Sequence, residues 1–197
     1  MLRTAWDSPS HPAEYDYLAT VPWWLRKRFW EHYREIQSLP RTVSSILEVG
    51  CATGELARYL QHRYPQVRYL GFDVSQGAID LARQKGAGEF ICGHFQESQP
   101  RAELVICRDV VHHQDDPWAF LEELWHATER YLVVRLRTGP ETIRRTQVLY
   151  GLEVPYWILN EEDLRHWAKP GFIWFGDHEG PLPTWLRIAI WITRRHT

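Results

Sequence analysis

The stretch Ile46-Leu47-Glu48-Val49-Gly50-Cys51-Ala52-Thr53-Gly54-Glu55-Leu56 decides the fold. An apolar run ends in a glutamate, and the chain then passes two glycines into a helical pattern. That order predicts a buried parallel strand, a tight loop and a helix N-terminus. Gly50 suits a sharp turn, and Gly54 suits close approach of backbone to ligand or of helix to sheet. Such a loop is expected to aim backbone N–H groups beyond the strand end. The next apolar run, Tyr69-Leu70-Gly71-Phe72-Asp73-Val74, brings in Asp73 about 20 residues after the loop. There a carboxylate is placed to accept both hydroxyls of a ribose.

This spacing alone admits a nicotinamide dinucleotide, but two details argue against it. The loop is Gly-x-x-x-Gly, not the Gly-x-Gly-x-x-Gly that brings backbone against a pyrophosphate. Glu48 would also set negative charge near those phosphates, whereas a cationic ligand with an amino group would welcome it. S-adenosylmethionine combines an adenosine ribose, a positive sulfonium and an amino acid.

With these residues in view, the chain resembles the class I S-adenosylmethionine-dependent methyltransferases. The resemblance rests on Glu48-Val49-Gly50-Cys51-Ala52-Thr53-Gly54, Gly71-Phe72-Asp73-Val74-Ser75 and Leu104-Val105-Ile106-Cys107-Arg108-Asp109-Val110-Val111-His112-His113. It runs from about Ser44 to the C-terminus. Three positions depart from the pattern: Ala52 replaces a usual middle glycine, His94 an aspartate that often contacts the adenine amine, and Glu103 the acid that opens the fourth strand. The resemblance implies an α/β, Rossmann-like sheet of seven mostly parallel strands with helices on both faces and an antiparallel last strand. It further implies Glu48 near the cofactor's amino group and Gly50, Cys51, Ala52 and Gly54 around the cofactor. Asp73 and Val74 would meet the ribose, His94 and Phe95 the adenine, and Arg108, Asp109 and Val110 the methionine part.

Composition is consistent with this. A chain of 197 residues, 44% hydrophobic and 24% charged, is long enough for a full core and lies in the globular range. A net charge of −2 gives no basic excess for nucleic acid. Cys51, Cys92 and Cys107 form no C-x-x-C pair and read as small thiols in a reducing compartment. The sequence shows neither a signal-peptide pattern nor an apolar run of membrane-spanning length, so a cytoplasmic protein, monomer or homodimer, is expected.

Residues 1–40 read as a tail followed by an aromatic helix, with Tyr15 and Tyr17 as candidate lid residues, and 41–197 as the methyltransferase domain. Strands are expected at about 45–50, 67–74, 89–93, 104–109, 130–138, 172–176 and 185–193, with Ser75, Asp116 and Asn160 capping helices. The segment from Gly139 to Asn160 is the least family-like and leaves the catalytic edge, so it is placed to shape the substrate site.

Methyl transfer needs an aligned nucleophile and, for an oxygen acceptor, a base. His113, ahead of His112, is the candidate. A metal site in His112-His113-Gln114-Asp115-Asp116 is disfavoured, because Asp116 is better explained as a helix cap. Arg135 and Arg137 could meet an acidic group on the substrate or be a solvated strand end. The expected function is methyl transfer from S-adenosyl-L-methionine to oxygen, nitrogen or carbon of a small-molecule acceptor. The alternatives are a module that binds the cofactor without turnover and a nicotinamide-dependent Rossmann enzyme.

Overall fold

In the computed structural model, β1 (Ser45–Val49) is the buried strand that the opening stretch predicts, closed to solvent from Ile46 to Val49. The structure describes residues 5–8, 41–98, 100–168, 172–175 and 187–194. The expected aromatic helix and the lid tyrosines lie outside these; before residue 41 only a short 3₁₀ turn at Ala5–Asp7 is described. The chain forms two compact units, one ending at Ser98 and the other beginning at Gln99.

In the first unit β1 pairs in parallel with β2 (Arg68–Asp73), and β2 with β3 (Glu89–Cys92). Helix α1 (Glu55–Arg63) joins β1 to β2, and its Leu56, Ala57 and Leu60 form one buried stripe. Helix α2 (Gln76–Lys85) joins β2 to β3, burying Ala78, Ile79 and Ala82. The Ser75 Oγ accepts the N–H of Ala78 and starts α2; Gly86, at φ 66°, ends it in the left-handed conformation that glycine favours. A single turn, α3 (Phe95–Ser98), closes the unit.

In the second unit β4 (Ala102–Arg108) runs parallel to β5 (Thr128–Gly139). Helix α4 (Pro117–Ala127) connects them, capped as expected by Asp116, which accepts the N–H groups of Trp118 and Ala119 with Pro117 following. Phe120, Leu121 and Leu124 of α4 are buried, and Trp125 is half-buried. The strands β8 (Phe172–Phe175) and β9 (Arg187–Arg194) pair with each other, and β9 pairs antiparallel with β5 from Tyr131 to Thr138. All seven expected strands are therefore present, the last one antiparallel.

Two further strands were not foreseen as such. β6 (Ile143–Leu149) and β7 (Leu152–Asn160) form a hairpin within the segment expected only to shape the substrate site. Its two-residue turn, Tyr150-Gly151, has φ of 52° and 81°, the type I′ geometry that matches strand twist. At its far end β7 runs parallel to β5 over Thr138–Gly139, and Asn160 caps α5 (Glu161–Trp167). Among the described residues, no helix is long and apolar enough to cross a membrane.

Candidate functional site

In the first unit the loop after β1 alternates through left-handed backbone: Gly50 has φ 80°, Ala52 46° and Gly54 75°. Its N–H groups turn inward. Those of Gly50 and Cys51 both reach the Phe72 carbonyl (2.8 and 3.0 Å), that of Gly54 the Cys51 carbonyl (3.0 Å), and that of Ala52 the Asp73 carboxylate (2.9 Å). The expectation of N–H groups aimed beyond the strand is thus corrected at these four residues. They fasten the loop to the end of β2. Gly54 serves packing: a Cβ there would lie 3.0 Å from both Ala82 Cβ and Phe90 Cζ.

Asp73 is held from both sides, with Oδ2 on the Ala52 N–H and Oδ1 on the Ser75 N–H, each at 2.9 Å. These two hydrogen bonds fix the orientation of the carboxylate. Val74, next to it, is half-buried. Glu48 is 0% exposed, and the buried Tyr69 hydroxyl donates a hydrogen bond to its carboxylate. Its orientation is therefore set within the sheet. His94 is exposed, whereas Phe95 is buried edge-on against Phe72, with ring centroids 6.3 Å apart. Sequence reasoning missed Lys85: its ammonium donates to the Thr53 carbonyl (3.0 Å) and to Glu55 (2.8 Å), tying the loop to the end of α2.

In the second unit Arg108 ends β4 half-buried, and Asp109 follows in the left-handed region at φ 57°. The Asp109 N–H donates to the Arg135 carbonyl, while its carboxylate meets Arg135 Nη1 at 2.7 Å and Arg137 Nη2 at 3.5 Å. The Val110 carbonyl then accepts the His113 N–H at 2.9 Å, closing a 3₁₀ turn over Val111–His113. This turn brings the two histidine rings together, with centroids 4.2 Å apart and planes tilted by 47°.

The two histidines are nonetheless different. His112 is 2% exposed, and its pKa is lowered to about 2, first by burial and then by His113, Arg137 and Arg135. It is a neutral core ring. His113 is half-buried, and its pKa is also lowered by burial, opposed by a hydrogen bond to Pro155 and by Asp109. Its Nδ1 lies 2.9 Å from the Pro155 carbonyl. A carbonyl only accepts, so Nδ1 carries the proton and the basic lone pair sits on Nε2. Pro155 belongs to β7, which supplies two more neighbours: Tyr156, with its ring 5.3 and 5.9 Å from the two imidazoles, and Trp157, whose indole N–H donates to the Gln114 carbonyl at 2.9 Å. Among the described residues, no group of three His, Cys, Asp or Glu side chains is placed to hold a metal.

Residues 46–130 match the family model described as a methyltransferase domain. Demethylmenaquinone methyltransferase of Deinococcus radiodurans is 33% identical over 36% of this chain and 29% of its own length. Malonyl-[acyl-carrier protein] O-methyltransferase of Legionella pneumophila is 24% identical over 77% of this chain and 55% of its own. The chain thus spans about half or less of the length of these relatives. Among solved structures, the N-terminal domain of EvdMO1 with SAH bound aligns at TM-score 0.67 and 14% identity over 84% of this chain and 80% of that one. Magnesium protoporphyrin IX methyltransferase from Synechocystis aligns at TM-score 0.58 and 16% identity, covering 90% and 94%. These likenesses carry the fold, which is Rossmann-like and mostly parallel.

Two features of these surroundings escaped the sequence reading, Lys85 and the Pro155 carbonyl, whereas Tyr156 lies in the segment expected to shape the substrate site. A lysine at a helix end has many uses, and a carbonyl leaves no trace in residue type.

Proposed function

We propose that this chain is an S-adenosylmethionine-dependent methyltransferase acting on an oxygen of a small-molecule acceptor, with His113 as the base. The single observation that carries the choice of oxygen is the Nδ1 contact of His113 with the Pro155 carbonyl, which leaves Nε2 basic. Burial keeps this imidazole neutral at neutral pH, as a general base requires. The methyltransferase-domain match and the SAH-bound structural relative support the cofactor.

The first unit fits that cofactor. Its loop from Gly50 to Gly54 is fixed in shape, and Asp73 is oriented at the end of β2, where a carboxylate would meet ribose hydroxyls. Bound there, S-adenosylmethionine would supply an electrophilic methyl group on positive sulfur. In the second unit the acceptor hydroxyl gives its proton to Nε2 of His113.

Calorimetric titration with S-adenosylhomocysteine, with NAD as control, tests the reading. Micromolar binding of the first and none of the second is expected. Binding of neither, or of NAD alone, overturns it.

A further inference from the structure

We infer that the acceptor carries a carboxylate, received by the paired guanidinium groups of Arg135 and Arg137. This deepens the methyltransferase reading above and rests on it. The two arginines lie two residues apart on β5, separated by the buried Leu136, and so project to the same side of the strand. Asp109 faces both, giving two cations and one anion and a formal surplus of +1. The contact is lopsided: Arg135 Nη1 is at 2.7 Å, whereas Arg137 Nη2 stands at 3.5 Å from Oδ1, which has no hydrogen-bond partner. Arg135 Nε and Arg137 Nη1 are likewise buried without a hydrogen-bond partner.

Ion pairs that serve structure alone approach charge balance and complete their hydrogen bonds, because an incomplete buried set is costly. Here the cluster is incomplete and also reachable, with side chains of Arg135, Arg137 and Asp109 at 25%, 21% and 29% exposure. The neighbouring histidines add no charge, since burial keeps both neutral. The forked guanidinium geometry suits carboxylate, and Asp109 already shows that this pair accepts one. The Tyr156 ring beside His113 offers an apolar face to the rest of the molecule. A hydroxy acid combines the group that His113 would deprotonate with the group that the arginines would hold.

The test titrates the full chain with acetate, benzoate and 4-hydroxybenzoate, each against its uncharged amide, following tryptophan fluorescence. At least one carboxylate should bind in the millimolar range or tighter, and its amide at least about tenfold more weakly, as expected for a lost charged hydrogen bond. Arg137→Gln should weaken the carboxylate about tenfold while leaving S-adenosylhomocysteine affinity within a factor of about two. Asp109→Asn gives the sharper result. Asparagine tolerates left-handed backbone, so the turn is kept while a competing carboxylate is removed. Carboxylate binding should then tighten severalfold, whereas a purely structural cluster would lose order and bind more weakly. Equal binding of acid and amide, no carboxylate binding, or weakening by Asp109→Asn in a protein that still binds S-adenosylhomocysteine overturns the inference. If Asp109→Asn does not fold, the acid–amide ratio and Arg137→Gln decide it. Loss of S-adenosylhomocysteine binding by the unmodified chain is a separate outcome: the methyltransferase reading falls, and with it the acceptor role of the arginine pair.

Discussion

The loop from Gly50 to Gly54 and the turn from Asp109 to Gln114 each follow the C-terminal end of a parallel strand, yet they are finished differently. In the first, the four N–H groups traced have partners within the unit, and Gly54 is closed in by Ala82 and Phe90. In the second, polar atoms of Asp109, His112, Arg135 and Arg137 are buried without hydrogen-bond partners. A completed network fixes a shape, whereas an incomplete one still has interactions to offer. The contrast suggests a rigid cradle in one unit and, in the other, a site whose hydrogen bonds are completed by what binds there.

The largest effect expected on this comparison lies in the second region. Replacing His113 by glutamine should lower kcat about 10²- to 10⁴-fold, the usual range for loss of a general base, with little change in S-adenosylhomocysteine affinity. Because burial lowers the His113 pKa, the rate should be level near neutrality and fall in acid as Nε2 becomes protonated. A variant that loses cofactor affinity and keeps kcat would reverse the roles given to the two regions.

Next in size is Gly54→Ala in the cradle. Alanine at φ 75° is strained, and its Cβ would press on Ala82 and Phe90 at 3.0 Å. Together these should cost about 2–4 kcal/mol, read as a lower urea midpoint. Stability unchanged by this substitution would mean that the cradle yields despite the hydrogen bonds of its four traced N–H groups.

Legibility in the sequence followed the same divide. The cradle could be read because its requirements fall on residue types: glycine at Gly50 and Gly54, an acid at Asp73, a capping serine at Ser75. Apolar periodicity likewise located the seven expected strands. Other features depend on partners brought together only by folding. Tyr69 takes up Glu48, Phe95 turns into the core, and a carbonyl on Pro155 selects the tautomer of His113. Tyr150 hid the hairpin, since a type I′ turn favours Asn or Asp before Gly and tyrosine seldom adopts positive φ.

The turn from Asp109 to Gln114 also makes stability depend on pH through His112. Its folded pKa of about 2 lies below the ordinary 6.5, so between these values only the unfolded chain takes up the proton. The contribution is fully present above about pH 6.5 and is lost as pH falls, at about 1.4 kcal/mol per unit. Chemical denaturation at pH 7 and pH 5 should show this slope, and His112→Phe should flatten it. An unchanged slope in that variant would mean that His112 is charged or solvated in the folded protein.

The smallest expected effect tests how tightly the cradle holds. Ala52 stands at φ 46°, in the left-handed region that favours glycine, and its N–H nevertheless donates to Asp73. A left-handed alanine costs about 1–2 kcal/mol, while glycine loses about 0.5–1 kcal/mol to extra freedom in the unfolded chain. The strain term is the larger, so Ala52→Gly should stabilise by about 0.5 kcal/mol, a melting shift of about 1–2 °C at this chain length. The N–H to Asp73 survives the change, so S-adenosylhomocysteine affinity should stay within a factor of about two. A loss of stability would mean that packing of the Ala52 methyl outweighs its backbone strain. Weaker cofactor binding without loss of stability would mean that the alanine holds Asp73 in register, and that an alanine here stiffens the cradle beside the carboxylate proposed to receive the ribose.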